Sequence, residues 1–244
     1  MPTVSWQTQH VATHVYRFDR VSSTQDEARR LIEQGQAHGA LLVAAEQTRG
    51  RGRSTHAWHS PRGNLYLSFV LRPDLPPSAW SQITMITALA LQAAIVSTVQ
   101  LLVQLKWPND ALVRNRKVAG ILAEIVDAYL MVGVGVNVNA DLSDALSQAT
   151  TLRAEIGRPL DMAILLRRFV EQLDEYYGQL LQGERFTRAW SAQLVTLGRV
   201  VRVRMGAQVV EGVAEQVDDS GALLVREASG TITVCHAGEV TLVP

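Results

Sequence analysis

Hydrophobic and polar residues alternate over residues 14–18 in the period-two manner of a strand, and the chain then changes register. Ser23-Thr24-Gln25-Asp26 has a hydroxyl at a cap position and a carboxylate three residues on, so it reads as a capping box opening a helix that runs to Gln34 and stops at Gly35. Apolar runs at 40–45 and 65–71 predict two core strands. Pro73, Pro76 and Pro77 break the chain ahead of a long helix starting near Ser78. Residues 83–99 are apolar but carry Thr84, Thr87, Gln92, Ser97 and Thr98, and fall short of the roughly 20 apolar residues that span a bilayer, so a buried helix is expected. Further strands are predicted at 101–105, 118–126 and 130–137. After a loop with a short helix (141–160), residues 161–181 show helical spacing, Gly183 ends that helix and another helical turn is expected at 186–190.

From there the pattern shortens. Strands are predicted at 200–205, 208–217, 222–226, 231–235 and 240–243, separated by the turns Asp218-Asp219-Ser220-Gly221 and Ala228-Ser229-Gly230. Such a run of short strands builds a small barrel. The boundary is placed near 194–198, giving a larger unit at 1–194 and a small one at 195–244.

Composition narrows the classes. At 244 residues, 47% hydrophobic and 19% charged, the chain suits one substantial core plus a small second unit. Lys+Arg and Asp+Glu both total 23, so no global field draws nucleic acid or an anionic membrane and a cationic site must be local. A lone cysteine, Cys235, excludes an internal disulfide and fits a reducing compartment; it reads as a barrel core residue. With no basic, apolar leader at the start, a cytoplasmic location is expected.

The local cationic site is at 47–63, where Arg51 and Arg53 alternate with Gly50 and Gly52 between two core strands. Glycine opens backbone conformations and arginine offers a planar fork of donors, so the run suits close wrapping of an anion. It is not a phosphate-binding P-loop, and Thr55 stands where a dinucleotide fingerprint needs its third glycine. RNA binding and a solvated hairpin tip stay open from the loop alone. His56 and His59 lack acidic or cysteine partners nearby, so no dedicated metal site is expected.

Two more stretches carry chemistry. Lys106-Trp107-Pro108-Asn109-Asp110 gathers a cation, an aromatic, an amide and a carboxylate at a strand end, although a polar turn around a buried Trp is the plainer reading. Lys117 stands at the entrance of a buried strand, and Gly133 and Gly135 leave one face of the next strand bare, either for a flat ligand or for close packing.

Taken together, Ser23-Thr24, Gln47 with Gly50-Arg51-Gly52-Arg53 and Trp58, Lys106 to Asp110, Lys117 to Leu122, and Gly133 to Asn137 resemble the biotin protein ligases over nearly the whole chain. The C-terminal strands resemble that family's SH3-like appendage. Because Ser23 lies so near Met1, the N-terminal DNA-binding helix-turn-helix of the repressor members is not expected. The resemblance implies an α+β fold, a mixed sheet flanked by helices of the class II synthetase-like biotin/lipoate ligase type, with a small C-terminal SH3-like β-barrel.

It also implies a two-step activity. Biotin and ATP would give biotinyl-5'-AMP and pyrophosphate, and the biotinyl group would pass to one lysine of a biotin carboxyl carrier protein. Magnesium is expected with ATP, and no tightly bound cofactor. By similarity Arg51, Arg53 and Lys117 would supply preorganised cations and Asp110 would orient or deprotonate the acceptor amine. Biotin and adenylate contacts would come from Ser23, Thr24, Gln25, Gln47, Gly50, Gly52, Tyr66, Asn109, Gly120, Leu122, Gly133, Gly135 and Asn137. The loop is expected to open and close over the adenylate. Ser54-Thr55-His56 departs from the more basic tripeptide usual there, and Trp58 is expected either on adenine or in the loop base. A lipoate-protein ligase, or a non-catalytic biotin- or RNA-binding module, is the rival reading. Neither DNA nor a membrane is expected as a partner, and the oligomeric state stays open, a homodimer being one option.

Overall fold

A computed structural model describes residues 6–35, 37–53, 56–142 and 148–243. A seven-stranded mixed sheet forms the larger unit: β1 (His14–Phe18), β2 (Ala40–Ala44), β3 (Leu65–Leu71), β4 (Gln104–Lys106), β5 (Asp110–Val113), β6 (Arg116–Val126) and β7 (Tyr129–Val136). Their order is β1-β2-β3-β7-β6-β5-β4, with β1 and β2 parallel and the other pairs antiparallel.

Alternation decides which side each residue serves. In β2, Ala40 and Leu42 join Ala28 and Ile32 of helix α1 (Thr24–Glu33), while Leu41 and Val43 face the larger core with helices α2 (Ser81–Val99) and α4 (Met162–Leu181). The segment Pro77–Val99, made of α2 and the short turn before it, is long and apolar enough to cross a membrane. It packs instead between the sheet and α4, with Ile83, Ile86, Ala90 and Ile95 fully buried, as expected of residues 83–99. Short helices α3 (Leu152–Ile156) and α5 (Thr187–Ser191) complete the helical part.

The second unit is a five-stranded antiparallel sheet of SH3-like form: β8 (Val200–Met205), β9 (Gln208–Val217), β10 (Leu223–Glu227), β11 (Ile232–Cys235) and β12 (Glu239–Leu242), in the order β11-β10-β9-β8-β12. Among the described residues its outer strands do not pair with each other. Cys235 lies buried in it, as expected.

Two corrections to the sequence reading bear on the site. The strand expected at 101–105 begins only at Gln104: Val103 is buried in the core, but Leu102 is 77% exposed and ladder pairing starts with Gln104 opposite Leu112. The Ser23 hydroxyl does cap α1, accepting from the Gln25 amide at 3.2 Å, but no reciprocal capping box forms. Asp26 accepts instead from the Ser22 hydroxyl and from Arg51.

Trp107 ties the two units together. It is 1% exposed; its amide donates to the Thr196 hydroxyl (2.9 Å) and its indole N–H to the Gly221 carbonyl (2.8 Å). Sheet edge β4 is covered by the connecting segment, with Leu105 N donating to Gln193 O and Val195 N to Leu105 O.

Candidate functional site

The arginine-glycine loop folds as a narrow hairpin. Gly52 N donates to His56 O at 2.8 Å, Trp58 N to Gly50 O at 2.9 Å, and Arg51 and Ala57 form an antiparallel bridge. At its base the Gln47 amide group donates to the Ser60 hydroxyl at 2.9 Å. Ser54 and Thr55, at the tip, lie outside the described residues.

Trp58 lays this hairpin on a bare patch of sheet. Pairing of β6 with β7 sets Gly120 beside Gly135 and Leu122 beside Gly133. A Cβ built on Gly135 would stand 2.5 Å from two atoms of the Trp58 indole, and one on Gly120 would stand 3.0 Å from its Cζ3. A Cβ on Gly133 would meet Gln25 at 3.1 Å. The glycines therefore permit close packing, and the packing partner is an aromatic. Indole Nε1 of Trp58 and Oε1 of Gln25 are buried with no hydrogen-bond partner among the described residues. Orphaned polar atoms beside a smooth wall suit a ligand that brings its own amide-like groups.

Helix α1 supplies a polar floor. The Gln47 side-chain oxygen accepts from the Thr24 amide (2.8 Å) and hydroxyl (3.2 Å), and the Ser68 hydroxyl donates to Thr24 Oγ1 at 2.8 Å. Gln25 Nε2 donates to Glu124 at 3.0 Å. Tyr66 donates to the Pro61 carbonyl at 2.7 Å, and burial pushes its phenol pKa well up, so it stays a neutral donor.

The cations ring this floor. Arg51 is ion-paired with Asp26 at 3.2 Å and in close contact with Glu124. Arg53 donates to the Gly238 carbonyl at 2.8 Å, reaching from the loop to the C-terminal sheet, and burial lowers its pKa. Lys117 Nζ lies 2.6 Å from Asp110 Oδ1 and 5.2 Å from the Trp58 ring centroid. Asn109 donates to the Ile121 carbonyl at 2.6 Å, holding the turn after Trp107 against β6. Asn137, 5% exposed, donates to the Lys117 carbonyl at 3.5 Å.

These residues line one cavity of about 790 Å³. It gathers Ser23, Thr24, Gln25, Gln47, Arg51, Gly52, Arg53, Tyr66, Asn109, Asp110, Lys117, Gly120, Leu122, Gly133, Gly135 and Asn137. Gly50 is the exception. It sits behind the lining, where a Cβ would come within 2.4 Å of both the Ser60 hydroxyl and the Trp58 carbonyl, so it shapes the hairpin base.

Several lining groups were not foreseen. Glu124 and Asp26 hold Arg51 from outside the lining, and neither pairing is marked in the sequence: they span 73 and 25 residues of chain. Arg204, Gly206, Gly238 and Glu239 bring the C-terminal sheet into the cavity, and short barrel strands give no hint of that. Lys106 was visible at the head of its polar cluster; burial lowers the pKa of its ammonium, against the pull of Asp110. Among the described residues no three His, Cys, Asp or Glu side chains gather as a metal site.

An apolar slot with a polar floor, ringed by arginines and lysines, defines a binding protein suited to an anionic ligand with polar groups of its own. Comparison with known proteins places the chain in a family. Residues 17–141 match the model of the biotin/lipoate A/B protein ligase family, and residues 196–243 that of the biotin protein ligase C-terminal domain. The chain is 34% identical over 240 residues to the biotin–[acetyl-CoA-carboxylase] ligase of Paracoccus denitrificans, covering 91% of this chain and 97% of that protein. It is 32% identical over 236 residues to the bifunctional ligase/repressor BirA of Bacillus spizizenii, covering 91% of this chain and 72% of that one. Its fold matches the biotin protein ligase from Aquifex aeolicus in complex with biotin and ATP with a TM-score of 0.83 and 29% identity, over 94% of this chain and 98% of that one. The chain belongs to the biotin/lipoate A/B protein ligase family.

Proposed function

We propose that this chain is an ATP-dependent biotin protein ligase, which makes biotinyl-5'-AMP from biotin and ATP and passes the biotinyl group to a lysine of a carboxylase's biotin carboxyl carrier domain. The observation that carries this reading is the convergence, in one cavity, of the glycine-faced slot with Arg51, Arg53 and Lys117. A cytoplasmic setting, where ATP is available, goes with it.

In the first step a carboxylate oxygen of biotin attacks the α-phosphorus of ATP and pyrophosphate leaves. The two anions repel each other, and charge grows around phosphorus in the transition state. Fixed cations offset this without reorganising. A unit charge about 4 Å away is worth roughly 4 kcal/mol at an effective dielectric near 20, so each cation matters. In this reading Arg51 exchanges Asp26 and Glu124 for the bound anion, and Arg53, anchored on Gly238, stays at the rim. Magnesium arrives on the phosphates of ATP as part of the substrate.

The slot takes the ureido ring. Gln47, Thr24 and Gln25 offer donors and acceptors on its floor, where an unpaired polar group would be costly. In the second step Lys117 leaves Asp110 for the acyl phosphate. The freed Asp110 carboxylate then orients the acceptor amine and takes its proton as the amide forms and AMP departs. The hairpin shelters the mixed anhydride from water between steps.

Pyrophosphate release with ATP and either biotin or lipoate tests the reading against its nearest rival. Release that depends on biotin is expected; equal or greater release with lipoate would assign the chain to the other branch of the family.

A further inference from the structure

Only two of the 23 basic residues are lysines, Lys106 and Lys117, and both line the cavity. Lysine is among the commonest residues of globular proteins, so a 244-residue chain with none outside its site is unusual. Fork-like pairing accounts for some of the arginines, such as Arg62, Arg202 and Arg226, but not for all of them. Arg29, Arg49, Arg158, Arg167 and Arg199 make no ion pair among the described residues, and a lysine would give them equal charge.

The difference between the two cations lies in reactivity, and this argument rests on the ligase reading above. A neutral lysine amine attacks the acyl carbonyl of a biotinyl adenylate. The C–N amide bond forms, the carbonyl-to-phosphate C–O bond breaks, AMP leaves with the electron pair and the amine proton passes to solvent. A guanidinium stays protonated and delocalised and does not make this attack. We propose that the surface of this chain is stripped of lysine acceptor amines, so that adenylate escaping the site finds few groups to acylate on the enzyme that made it.

Inside the cavity the two remaining lysines differ. Lys117 is ion-paired with Asp110 at 2.6 Å, which engages its amine nitrogen. Lys106 has no ion pair among the described residues and sits half-buried in the lining, so whatever self-acylation occurs falls there. Burial also lowers its pKa, which favours the reactive neutral amine.

The test incubates the full-length protein with biotin, ATP and a lysine-rich bystander protein, without carrier, and maps biotin by peptide mass spectrometry. A parallel tube holds a carrier domain and reports on the ligase reading by itself. With the carrier biotinylated, the bystander should gain biotin while the wild-type chain gains about ten-fold less per molecule, its labelled lysine being Lys106 and any other label falling on the α-amine. The exposed arginines flanking the hairpin supply the second arm: an R49K/R62K variant should gain biotin at positions 49 and 62 at a rate like that of the bystander. A wild-type chain labelled as fast as the bystander, or introduced lysines that stay unlabelled beside a labelled bystander, would overturn the proposal. So would an unlabelled bystander, since no free adenylate would then exist to be guarded against.

Discussion

Replacing Gly135 with Ala puts the glycine wall to its sharpest test. Gly135 has no left-handed backbone, so alanine suits its strand, and its pairing with Gly120 and Tyr66 uses main-chain groups that the change leaves in place. The new methyl would stand 2.5 Å from the Trp58 indole, against an ordinary contact of about 3.5–4.0 Å. The ring must retreat by about 1 Å or leave the wall altogether. If it leaves, roughly 100 Å² of apolar contact is lost, or about 2.5 kcal/mol at 25 cal/mol per Å². Charged entirely to positioning of the hairpin, that corresponds to a factor of roughly 70 in rate. Biotin-dependent pyrophosphate release should therefore show kcat/KM lowered by about 10- to 70-fold, with Tm lowered by no more than about 5–10 °C, the shift that loss of the whole contact would give. Gly120→Ala, whose methyl meets Trp58 at 3.0 Å and Lys117 Cε at 3.2 Å, should lose less. A Gly135→Ala enzyme within twofold of wild type would refute the idea that Trp58 on bare backbone fixes the loop.

Three further outcomes follow from the geometry. Lys117→Ala should lower adenylate formation by about 100-fold or more while leaving Tm nearly unchanged; adenylation and transfer both near wild type would remove Lys117 from the mechanism. Glu155, whose side chain is fully buried, holds Arg116 at 2.5 Å, Arg114 at 3.4 Å and the Thr150 hydroxyl at 2.6 Å, bracing the hairpin that leads into Lys117. Glu155→Gln should cost about 1–2 kcal/mol, discounted because both arginines are largely exposed, and a calorimetric Tm equal to wild type would contradict this. His38 accepts from the Arg72 amide at 3.0 Å, and burial, then Arg72 and His10, lower its pKa. The folded chain thus prefers neutral imidazole, so this contribution is complete above the unfolded value of about 6.5 and is lost as pH falls below it. Between about pH 7 and pH 5 the Tm of His38→Gln should fall slightly less than that of wild type, and identical slopes would count against the assignment.

The parts of the fold that were legible in the sequence are those set by local pattern. Strands β1, β3, β8 and β9 lie where alternation or an apolar run between turn residues placed them. Pattern failed where tertiary context overrode it. Leu101 and Leu102 read as strand yet pairing starts at Gln104, and β5 went unread because it opens with Asp110 inside a polar cluster. In the site, each bare glycine and each cation was visible singly. That Gly120 and Gly135 would lie side by side under Trp58 depends on register, which the strands alone do not state. The acids on Arg51 and the Gly238 carbonyl under Arg53 come from distant chain segments, and nothing near them in sequence marks the pairing.

The most direct measurement is the intact mass of a biotin carboxyl carrier domain after incubation with this protein, ATP and either biotin or lipoate. The account requires a gain of one biotinyl group on a single lysine, dependent on ATP and absent with lipoate. An unchanged carrier mass with biotin, or equal modification by lipoate, would contradict it.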